Sequence, residues 1–535
     1  MTDYPRVRPV GDAAVTVELG DAIDPALNAA VRALDRALAE RPLAGVLEAV
    51  PNYRSLLVCY DPRRAAFADL APALLERARI ESEPLPPGPL HTVPTVYGGE
   101  HGPDLQEVAK TCGLSEGEVV RLHTSQELTA FMLGFMPGFP YLGLSPEALA
   151  VPRRPTPRVR VPEGSVALAG RQAGIYPAAS PGGWQLIGRT ATRLFDPTAE
   201  PPALIQPGDR VRFVRTDALA AERPAILVPR EAGDPVVEVL SPGLLTSVQA
   251  APRVGHRRLG VSGAGPLDAG AHAAANRAVG NAPDTAALEV TLAGPSLRFL
   301  RSVRVAIAGA DLGAVLERTD LGAWEVPRGQ AFLARPDSVL RFEGRRSGCR
   351  AYVAFAGGID VPVVLGSRST DLVGAFGGHG GRALRARDLL VAGSDQGRPS
   401  QDDAPGAEAA ARPRAEEEGI PTLRVVLGPQ DDHFPESAKR LFFGTAWAVT
   451  ATSDRVGCRL GGPGLETVGA AEIVSDGMVP GCIQVPPDGQ PIVMLADGPT
   501  TGGYPKIATV ITADLARLAQ LVPGQGRVRL EAVNS

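Results

Sequence analysis

Hydrophobic and polar positions in residues 1–97 switch between strand-like and helix-like spacing, in the order strand, helix, strand, strand, helix, strand. Asp24 followed by Pro25 predicts the start of the first helix. Residues 64–80 repeat the helical spacing and predict a second helix. The predicted apolar face of the first helix comprises Leu27, Val31, Leu34 and Leu38. This order is typical of a ferredoxin-like α+β layer, which we place at residues 1–90.

The pattern changes after a proline-rich joint. Ser115 and Glu118 form a capping-box pattern for a short helix that ends near His123. Beyond it, short β-like runs alternate with Gly/Pro turns, as in a closed antiparallel barrel. The sequence therefore predicts a β-barrel over residues 91–216.

A turn followed by a strand recurs along the chain with similar residues. Residues 205–213 and 521–530 share a Pro-Gly turn before an Arg-Val-Arg strand, and residues 384–390 are a weaker echo. The repeat favours three related β-rich units, each closed by such a strand. The alternative is a common turn-and-strand phrase that arose three times. On the first interpretation the units are residues 91–216, 236–393 and 421–535.

Two segments are typical of linkers. Residues 217–235 are rich in Ala, Glu, Arg and Pro, and residues 394–420 carry many charges and almost no large apolar side chains. The second segment cannot bury enough surface to offset the entropy lost on ordering, so we expect it to be mobile. The fold class predicted is therefore α+β and mostly β.

Composition narrows the class of protein. The chain has 535 residues, 44% hydrophobic and 21% charged, with a net charge of −5 and dispersed basic residues. This argues against a nucleic-acid surface. The sequence shows neither an apolar run of membrane-spanning length nor a leader, and its five cysteines lack CxxC spacing. We expect a reduced, cytoplasmic protein without membrane contact.

Lysine is rare, and one lysine stands out. The chain has three lysines among 54 basic residues, which leaves 51 arginines. Arginine cannot replace the compact ammonium of a lysine in a tight pocket. Lys506 follows a Thr-Thr-Gly-Gly turn, nine residues after Asp497. It is a candidate for chemistry, although chance placement of one of three lysines is the alternative.

The densest polar cluster lies in the last unit, in three Gly-rich turns within about fifty residues of one another. Glycines let backbone amides approach a ligand and form anion-binding nests. Asp454 and Arg455 have a simpler interpretation as a surface ion pair. The candidates here are Lys506, Asp497, Asp476, Arg455, Asp454, Gln484, Thr500, Thr501, Gly502, Gly503 and Tyr504.

Two further clusters come from earlier in the chain. His123 precedes an aromatic loop with Phe139 and Tyr141, and Gln172 lies in a later polar turn. A histidine at a helix end is also a common C-cap. Ser262 and Asp268 form the third cluster, in which Asp268 is also suited to cap a helix over residues 269–279. No Walker loop, HExxH or paired CxxC is present, so we predict no metal held by the protein alone.

These motifs resemble a pair of known bacterial proteins. Residues 1–230 resemble the B subunit of ATP-dependent 5-oxoprolinase, also called the KipI type or allophanate hydrolase subunit 1. Residues 236–535 resemble the C subunit, the KipA type or allophanate hydrolase subunit 2. Both also resemble the carboxyltransferase part of urea carboxylase. The matching stretches are His123-Thr, residues 134–142, 158–166, 180–184, 260–268, 453–460 and 481–507.

The resemblance implies a cyclophilin-like barrel after the N-terminal layer, followed by two further barrels. It implies ATP-dependent opening of 5-oxo-L-proline to glutamate, carried out with a separate A subunit. It also implies that Mg²⁺ accompanies the nucleotide, and it is compatible with a homo-oligomer. In this interpretation Lys506 projects into a pocket shared by both halves and neutralises charge on the lactam oxygen or the phosphoryl group. Asp497 and Asp476 would bind the substrate nitrogen or the metal ion, and His123 would be an acid or base. Replacing Lys506 by Met should abolish turnover and leave the thermal melt nearly unchanged.

Two other functions remain open. A carboxyltransferase using biotin on a partner protein would need the same pocket, because both reactions build charge on an amide-like oxygen. A regulator of a sensor histidine kinase would need a binding site without turnover.

Overall fold

The N-terminal layer is a four-stranded antiparallel sheet with two helices on one face. This computed structural model describes residues 4–80, 85–220, 233–393, 419–469 and 472–533. The carboxylate of Asp24 accepts hydrogen bonds from two backbone N–H groups and caps the first helix, as predicted. The elements are β1 Arg6–Pro9, β2 Ala14–Glu18, α1 Pro25–Glu40, β3 Val46–Pro51, β4 Ser55–Tyr60 and α2 Phe67–Arg79.

The sheet order is β1-β2-β4-β3, so the N-terminal hairpin provides the edge strand next to β2. The strand predicted to end the layer instead belongs to the following barrel. Its backbone pairs with a strand more than a hundred residues later, a pairing that local periodicity cannot indicate. The ferredoxin-like assignment stays a prediction.

The next unit is a closed seven-stranded barrel in the order β10-β7-β6-β13-β5-β12-β9, with two helices against it. Ser115 and Glu118 form the predicted capping box of α4. The barrel strands are β5 Leu90–Tyr97, β6 Leu128–Leu133, β7 Pro140–Gly143, β9 Ser165–Ala169, β10 Gln172–Ile175, β12 Gln185–Arg189 and β13 Arg210–Arg215. Two further strands, β8 Arg158–Val161 and β11 Ser180–Gly182, form a separate antiparallel pair. The helices are α3 Leu105–Cys112 and α4 Glu116–Thr124.

The middle unit is a sandwich of two open sheets, so the prediction of a barrel over 236–393 is wrong. One sheet has the order β20-β19-β22-β17-β14-β24 and the other β15-β16-β23-β18-β21. Their facing side chains share one core, and α5 covers the outer face of the second sheet through small alanines. The elements are β14 Pro235–Ser241, β15 Leu245–Gln249, α5 Ala269–Ala278, β16 Ala287–Thr291, β17 Ser296–Phe299, β18 Val303–Asp311, β19 Ala314–Arg318, β20 Gly322–Glu325, β21 Ala331–Ala334, β22 Val339–Phe342, β23 Ser347–Phe355 and β24 Leu389–Val391.

The last unit is a second closed seven-stranded barrel, in the order β25-β32-β29-β30-β27-β26-β33. A short pair, β28 with β31, lies beside it. The strands are β25 Thr422–Leu427, β26 Trp447–Val449, β27 Gly457–Gly461, β28 Asp476–Gly477, β29 Cys482–Gln484, β30 Ile492–Met494, β31 Thr501–Gly502, β32 Lys506–Val510 and β33 Arg527–Ala532. The helices are α6 Glu436–Gly444 and α7 Leu515–Ala519.

The recurring turn-and-strand motif closes both barrels in the same way. Strand β13 pairs in parallel with β5, the first strand of its barrel, and β33 pairs in parallel with β25. The third copy behaves differently, because β24 pairs antiparallel with β14 at the edge of an open sheet. The repeat is therefore confirmed for the two barrels and not for the middle unit.

The first and last units pack against each other. The sheet face not covered by α1 and α2 lies on the last barrel, with Leu57 and Val50 against Met478 and Cys482. Linker residues 221–232 and 394–418 lie outside the described residues. The mobility predicted for the second linker therefore stays a prediction. None of the helices in the described ranges combines the length and hydropathy needed to cross a lipid bilayer.

Candidate functional site between the two halves

Lys506 opens β32 and is 0% exposed. Its Nζ lies 3.2 Å from Oδ2 of Asp476, at the start of β28. The hydroxyl of Ser55, in the N-terminal sheet, donates to Oδ1 of the same carboxylate. The side-chain amide of Gln430 lies 3.4 Å from Oδ2. Lys506 thus forms a buried ion pair with Asp476, and Ser55 from the first half of the chain completes it. The prediction that its ammonium projects into an open pocket is wrong.

The charges around Asp476 keep it ionised. Burial raises the pKa of Asp476, but the charges of Lys506 and Arg54 and the hydrogen bond from Ser55 outweigh burial and hold the pKa below its usual value. Arg54 also lies 3.5 Å from Glu18. Removing the ammonium would leave a buried carboxylate uncompensated, so the expectation that Lys506→Met spares the thermal melt does not fit this geometry.

Arg455 forms a second buried ion cluster. Its Nε and Nη2 each donate to Asp497 over 2.8 Å, and its Nη1 donates to Glu289 on β16 of the middle unit. The alternative of a surface Asp454–Arg455 pair is wrong. Asp454 is exposed, and its carboxylate accepts from the backbone N–H groups of Val456 and Gly457 in a turn. Asp454 is therefore a turn residue outside the buried site.

The pKa of Asp497 is raised, whereas that of Asp476 is lowered. Burial raises the pKa of Asp497 to about 6, against the lowering effect of Arg455, and the nearby charges of Asp371 and Glu289 add to the rise. One guanidinium therefore serves two carboxylates, and the pKa of Glu289 stays low because Arg455 and Arg350 together outweigh its burial.

The aromatic loop of the first barrel reaches the Thr-Thr-Gly-Gly turn of the last barrel. The backbone N–H of Phe135 donates to the hydroxyl of Thr501 over 3.1 Å. Behind it, the rings of Phe139 and Tyr141 lie edge to face, 5.0 Å apart, and both contact Trp184. The two segments are in contact, as predicted. They approach so closely at Gly134 that a side chain there would collide with Thr501.

The turn itself has a closed and an open side. The hydroxyl of Thr500 is buried and has no hydrogen-bond partner among the described residues. Gly502 packs on Gln484, whose amide donates to the carbonyl of Tyr504 over 3.3 Å. Gly502, Gly503 and Tyr504 are partly exposed. These three residues are the part of the turn that is open to solvent.

His123 does not join this cluster, contrary to the prediction. It lies in the core of the first barrel, with Nδ1 2.7 Å from the hydroxyl of Tyr97 and its ring 4.4 Å from that of Phe213. Burial lowers the pKa of His123 to about 3, so the imidazole is neutral near pH 7 and a weak base. Gln172 lies in β10 opposite Gly143, on the strand beside Tyr141.

The third predicted cluster is a junction of side chains within the second half. Asp268 caps α5 by accepting from the N–H of Ala271, and its other oxygen accepts from Gln520 over 2.8 Å. The alternative interpretation of Asp268 as a helix cap is thus confirmed. Ser262 is buried and donates to Asp371 over 3.1 Å. Both side chains are engaged within the fold, and neither contributes an open ligand position.

Comparison with known proteins decides the family. Residues 5–205 match the model of the carboxyltransferase domain, subdomains C and D, and residues 259–532 match subdomains A and B. The chain is 47% identical over 206 residues to the 5-oxoprolinase B subunit of Escherichia coli O157:H7, covering 38% of this chain and 93% of that protein. It is 36% identical over 297 residues to the 5-oxoprolinase C subunit of Escherichia coli K12, covering 54% of this chain and 89% of that protein.

The chain belongs to the family of 5-oxoprolinase B and C subunits. It joins them in one polypeptide, as a B–C fusion of the KipI/KipA type. The solved structure of TTHA0988 is 38% identical to it, with a TM-score of 0.83, and the match covers 97% of this chain and 100% of that one. Below, the B part means residues 4–220 and the C part residues 233–533.

The resemblance to 5-oxoprolinase implies ATP with Mg²⁺, and the two predicted carboxylates fit the metal poorly. Asp476 is paired with Lys506, and Asp497 with Arg455. A carboxylate whose charge is already neutralised by a buried cation is a weak ligand for Mg²⁺. The described residues hold no group of three or more His, Cys, Asp or Glu side chains arranged for a metal ion.

Several residues of the two ion clusters and their surroundings were not predicted from the sequence. Ser55 and Glu289 complete the two ion clusters from distant parts of the chain, and no spacing in the sequence connects them to Lys506 or Arg455. Arg153 lies beside Gly503, and a methyl group added to that glycine would be 3.8 Å from its Nη1. The signal available was weak: Arg153 stands in a Pro-Arg-Arg-Pro segment within the resembling region.

Proposed function

We propose that this chain is the B–C component of an ATP-dependent 5-oxoprolinase, which opens 5-oxo-L-proline to L-glutamate together with a separate A subunit. The supporting observation is that the B part and the C part, whose relatives are named as separate subunits, both contribute residues to one cluster in this chain. The B part supplies Ser55 and the Phe135 loop, and the C part supplies Asp476 and Thr501.

The chemistry explains why such a cluster is useful. A lactam is a poor electrophile, and phosphorylation of its carbonyl oxygen turns that oxygen into a leaving group. ATP supplies the phosphoryl group. Water then adds to the ring carbon and the C–N bond breaks, which frees the amine and leaves an acyl phosphate. A second water hydrolyses the acyl phosphate to the carboxylate of glutamate and phosphate, and ADP is the other product. The step that builds charge on oxygen gains most from fixed donors in a dry site.

The residues of this chain divide into positioning and contacting groups. Lys506 and Arg455, both buried in ion pairs, fix the two ends of the turn and act as positioning residues. The partly exposed Gly502, Gly503 and Tyr504 offer backbone N–H groups and a phenol to the substrate, as hydrogen-bond donors. The aromatic wall of Phe139 and Tyr141 lies behind them and limits the access of water to the turn.

The test is a coupled assay of the purified chain with a candidate A subunit, with and without 5-oxo-L-proline, following ADP and glutamate. We expect ATP turnover that depends on both 5-oxoproline and the A subunit, with one glutamate formed per ATP. Absence of glutamate under all conditions would reject the proposal.

A second candidate is carboxyl transfer from biotin on a partner protein to an amide. It is favoured by the family models, both of which are described as carboxyltransferase domains. Turnover that requires a biotinylated carrier and bicarbonate, and that 5-oxoproline does not stimulate, would select this function over the first.

A further inference from the structure

A short segment between β15 and α5, residues 259–265, is hydrogen-bonded to both barrels, and we call it the bridging segment. At one end, the carbonyl of Leu259 accepts a hydrogen bond from the backbone N–H of Gly138 over 2.8 Å. Near the other end, the N–H of Ala264 donates to the carbonyl of Ala496 over 3.1 Å. Gly138 lies in the aromatic loop of the first barrel, and Ala496 lies just ahead of the Thr-Thr-Gly-Gly turn of the last barrel. The bridging segment therefore contacts the chain on both sides of the candidate site.

These contacts close a ring of three stretches of chain from three units. The N–H of Phe135 donates to the hydroxyl of Thr501, which joins the aromatic loop directly to the turn. The bridging segment joins the same loop and turn a second time, through its two backbone hydrogen bonds. Residues 134–139, 259–265 and 496–501 are thus each bonded to the other two. A shift of any one stretch relative to the others would break at least one of these bonds.

The bridging segment and the aromatic loop approach most closely at Gly260. A Cβ added to Gly260 would lie 2.3 Å from the carbonyl oxygen of Met136 and 3.4 Å from Cα of Gly134. Gly260 also has a left-handed backbone, with φ +78, which glycine adopts without strain. The backbone of the aromatic loop thus rests on the backbone of the bridging segment, and the absence of a side chain makes this approach possible.

The bridging segment is itself fixed within the middle unit. The hydroxyl of Ser262 donates to Oδ2 of Asp371 over 3.1 Å, and Oδ1 of Asp371 accepts from the N–H of Gly374 over 2.7 Å. The carbonyl of Gly263 accepts from the N–H of Arg253 over 2.7 Å. The apolar side chains of the segment belong to a buried cluster shared with the first barrel and the middle unit: Leu133, Ala203, Leu259, Val261, Val364 and Phe376. These contacts hold the segment in place without a ligand.

The far end of the bridging segment meets the second ion cluster. Nη2 of Arg455 donates to the carbonyl of Gly265 and to Oδ1 of Asp497, each over 2.8 Å. The N–H of Gly265 donates to the side-chain oxygen of Gln249 over 3.1 Å. One guanidinium nitrogen therefore holds both the bridging segment and the chain that leads into the turn.

We propose that the bridging segment sets the position of the aromatic loop against the Thr-Thr-Gly-Gly turn, so that Gly260 and Ser262 are positioning residues of the reaction. The inference rests on the proposed function, in which the aromatic wall of Phe139 and Tyr141 limits the access of water to the turn. Neither positioning residue touches the substrate, and both act through the loop. Because a dry, fixed site matters most in the step that builds charge on oxygen, a displaced loop slows turnover more than it weakens binding.

The test compares Gly260→Ala with Gly255→Ala in the coupled assay. Both glycines have a left-handed backbone, with φ +78 and φ +88, so alanine strains both positions alike. A Cβ at Gly255 would meet no atom within 4 Å, whereas one at Gly260 would collide with the aromatic loop. We expect Gly260→Ala to lower kcat about tenfold with KM for 5-oxo-L-proline within about twofold of wild type. Gly255→Ala should keep both constants.

Trp184 reports the position of the loop without turnover. Its ring lies edge to face against those of Phe139 and Tyr141, with centroids 5.7 and 5.8 Å apart. Its fluorescence is measured as the difference between each protein and the same protein carrying Trp184→Phe. We expect the emission maximum of Trp184 to shift to longer wavelength in Gly260→Ala, because displacement of the loop lets water reach the indole, and to stay unchanged in Gly255→Ala. A lower Tm with wild-type kcat and wild-type Trp184 emission would assign Gly260 to structure alone and overturn the proposal.

Ser262→Ala provides a second variant that adds no atom, in case Gly260→Ala does not fold. It releases the bridging segment from Asp371, and we expect kcat to decrease about threefold with Trp184 emission shifted in the same direction. Wild-type kcat and emission in Ser262→Ala would remove that residue from the positioning role. If the wild-type protein shows no 5-oxoproline-dependent turnover, the proposed function fails and the role in that reaction fails with it. The Trp184 emission of the variants would still decide whether the bridging segment holds the loop.

Discussion

Lys506 compensates a carboxylate that no water reaches. Both side chains of the Lys506–Asp476 pair are almost completely buried. We expect Lys506→Met to lower the free energy of unfolding by about 3–5 kcal/mol, because buried Asp476 would lose its ion-pair partner and keep only the weaker support of Arg54 and Ser55. Urea denaturation of the purified variant measures this loss.

Two further variants make the experiment decisive. Lys439→Met removes a lysine paired with Glu436 near the surface and should cost less than about 1 kcal/mol. The double variant Lys506→Met/Asp476→Asn should recover part of the stability, since the buried charge is gone. A wild-type denaturation midpoint in Lys506→Met would contradict the assignment of a structural ion pair.

His123 makes stability depend on acidity. Its folded pKa of about 3 lies below the usual 6.5, so as pH falls below about 6.5 the unfolded chain binds a proton that the folded protein does not. Stability is therefore lost on acidification, by about 2 kcal/mol between pH 8 and pH 5. We expect His123→Gln to lack this part of the pH dependence in urea titrations and to keep its turnover. A large decrease in kcat with unchanged stability would restore His123 to the reaction.

At the scale of elements, the contact between the aromatic loop and the β31 turn depends on a missing side chain. A Cβ at Gly134 would lie 2.2 Å from the hydroxyl oxygen of Thr501. We expect Gly134→Ala to separate the two segments and to reduce 5-oxoproline-dependent turnover at least about tenfold, since small displacements of positioning groups are costly.

The control for this variant is the same substitution in open space. A Cβ at Gly117, on α4, would meet no atom within 4 Å. Gly117→Ala should therefore be neutral or slightly stabilising. Adding Thr501→Ala to Gly134→Ala should recover part of the melting temperature, because it removes the nearest colliding atom. Equal activity of Gly134→Ala and wild type would show that the loop contact is dispensable.

Sequence patterns predicted the elements whose causes are local. The cap at Asp24 and the capping box at Ser115 depend on neighbouring residues. The repeated turn and strand marked where the two closing strands lie, although their partners in the barrels are remote. The sandwich in the middle unit was missed because an Arg-rich strand after a turn fits a sheet edge as well as a barrel.

The site residues stay a prediction, but the structure shows which contacts they make. A rare lysine in a Gly-rich turn drew attention to the segment around Lys506, and the burial of that lysine could not be inferred from spacing. The partners that determine its role are remote: Ser55 lies 421 positions from Asp476, and Glu289 lies 166 from Arg455. Such pairs are set by how whole units pack, which one sequence does not encode in a local pattern.

At the scale of the molecule, the B and C parts form one body through apolar and polar contacts. Leu57 packs against the last barrel. Glu48 forms an ion pair with Arg257, in which Oε1 lies 3.0 Å from Nε, and the carboxylate of Asp12 accepts a hydrogen bond from the hydroxyl of Thr512. We expect residues 1–220 and 233–535, produced as separate chains and mixed, to elute together in gel filtration as an active complex.

A matched variant tests whether the apolar contact holds the two parts together. Leu57→Asp in the shorter chain places a charge in the buried face beside Gly477. The two chains should then elute separately. Co-elution of the variant, or separate elution of the wild-type pair, would show that the described contacts do not drive assembly.

The packing of the first sheet on the last barrel has a consequence for how the protein is made on the ribosome. The apolar face that carries Val50 and Leu57 emerges early, whereas its cover at Met478 and Met494 is translated near the end. At elongation rates of about 5–20 residues per second this interval is on the order of half a minute. During that time the nascent chain displays an uncovered apolar surface, so newly made protein should depend on a chaperone such as a holdase until synthesis is complete.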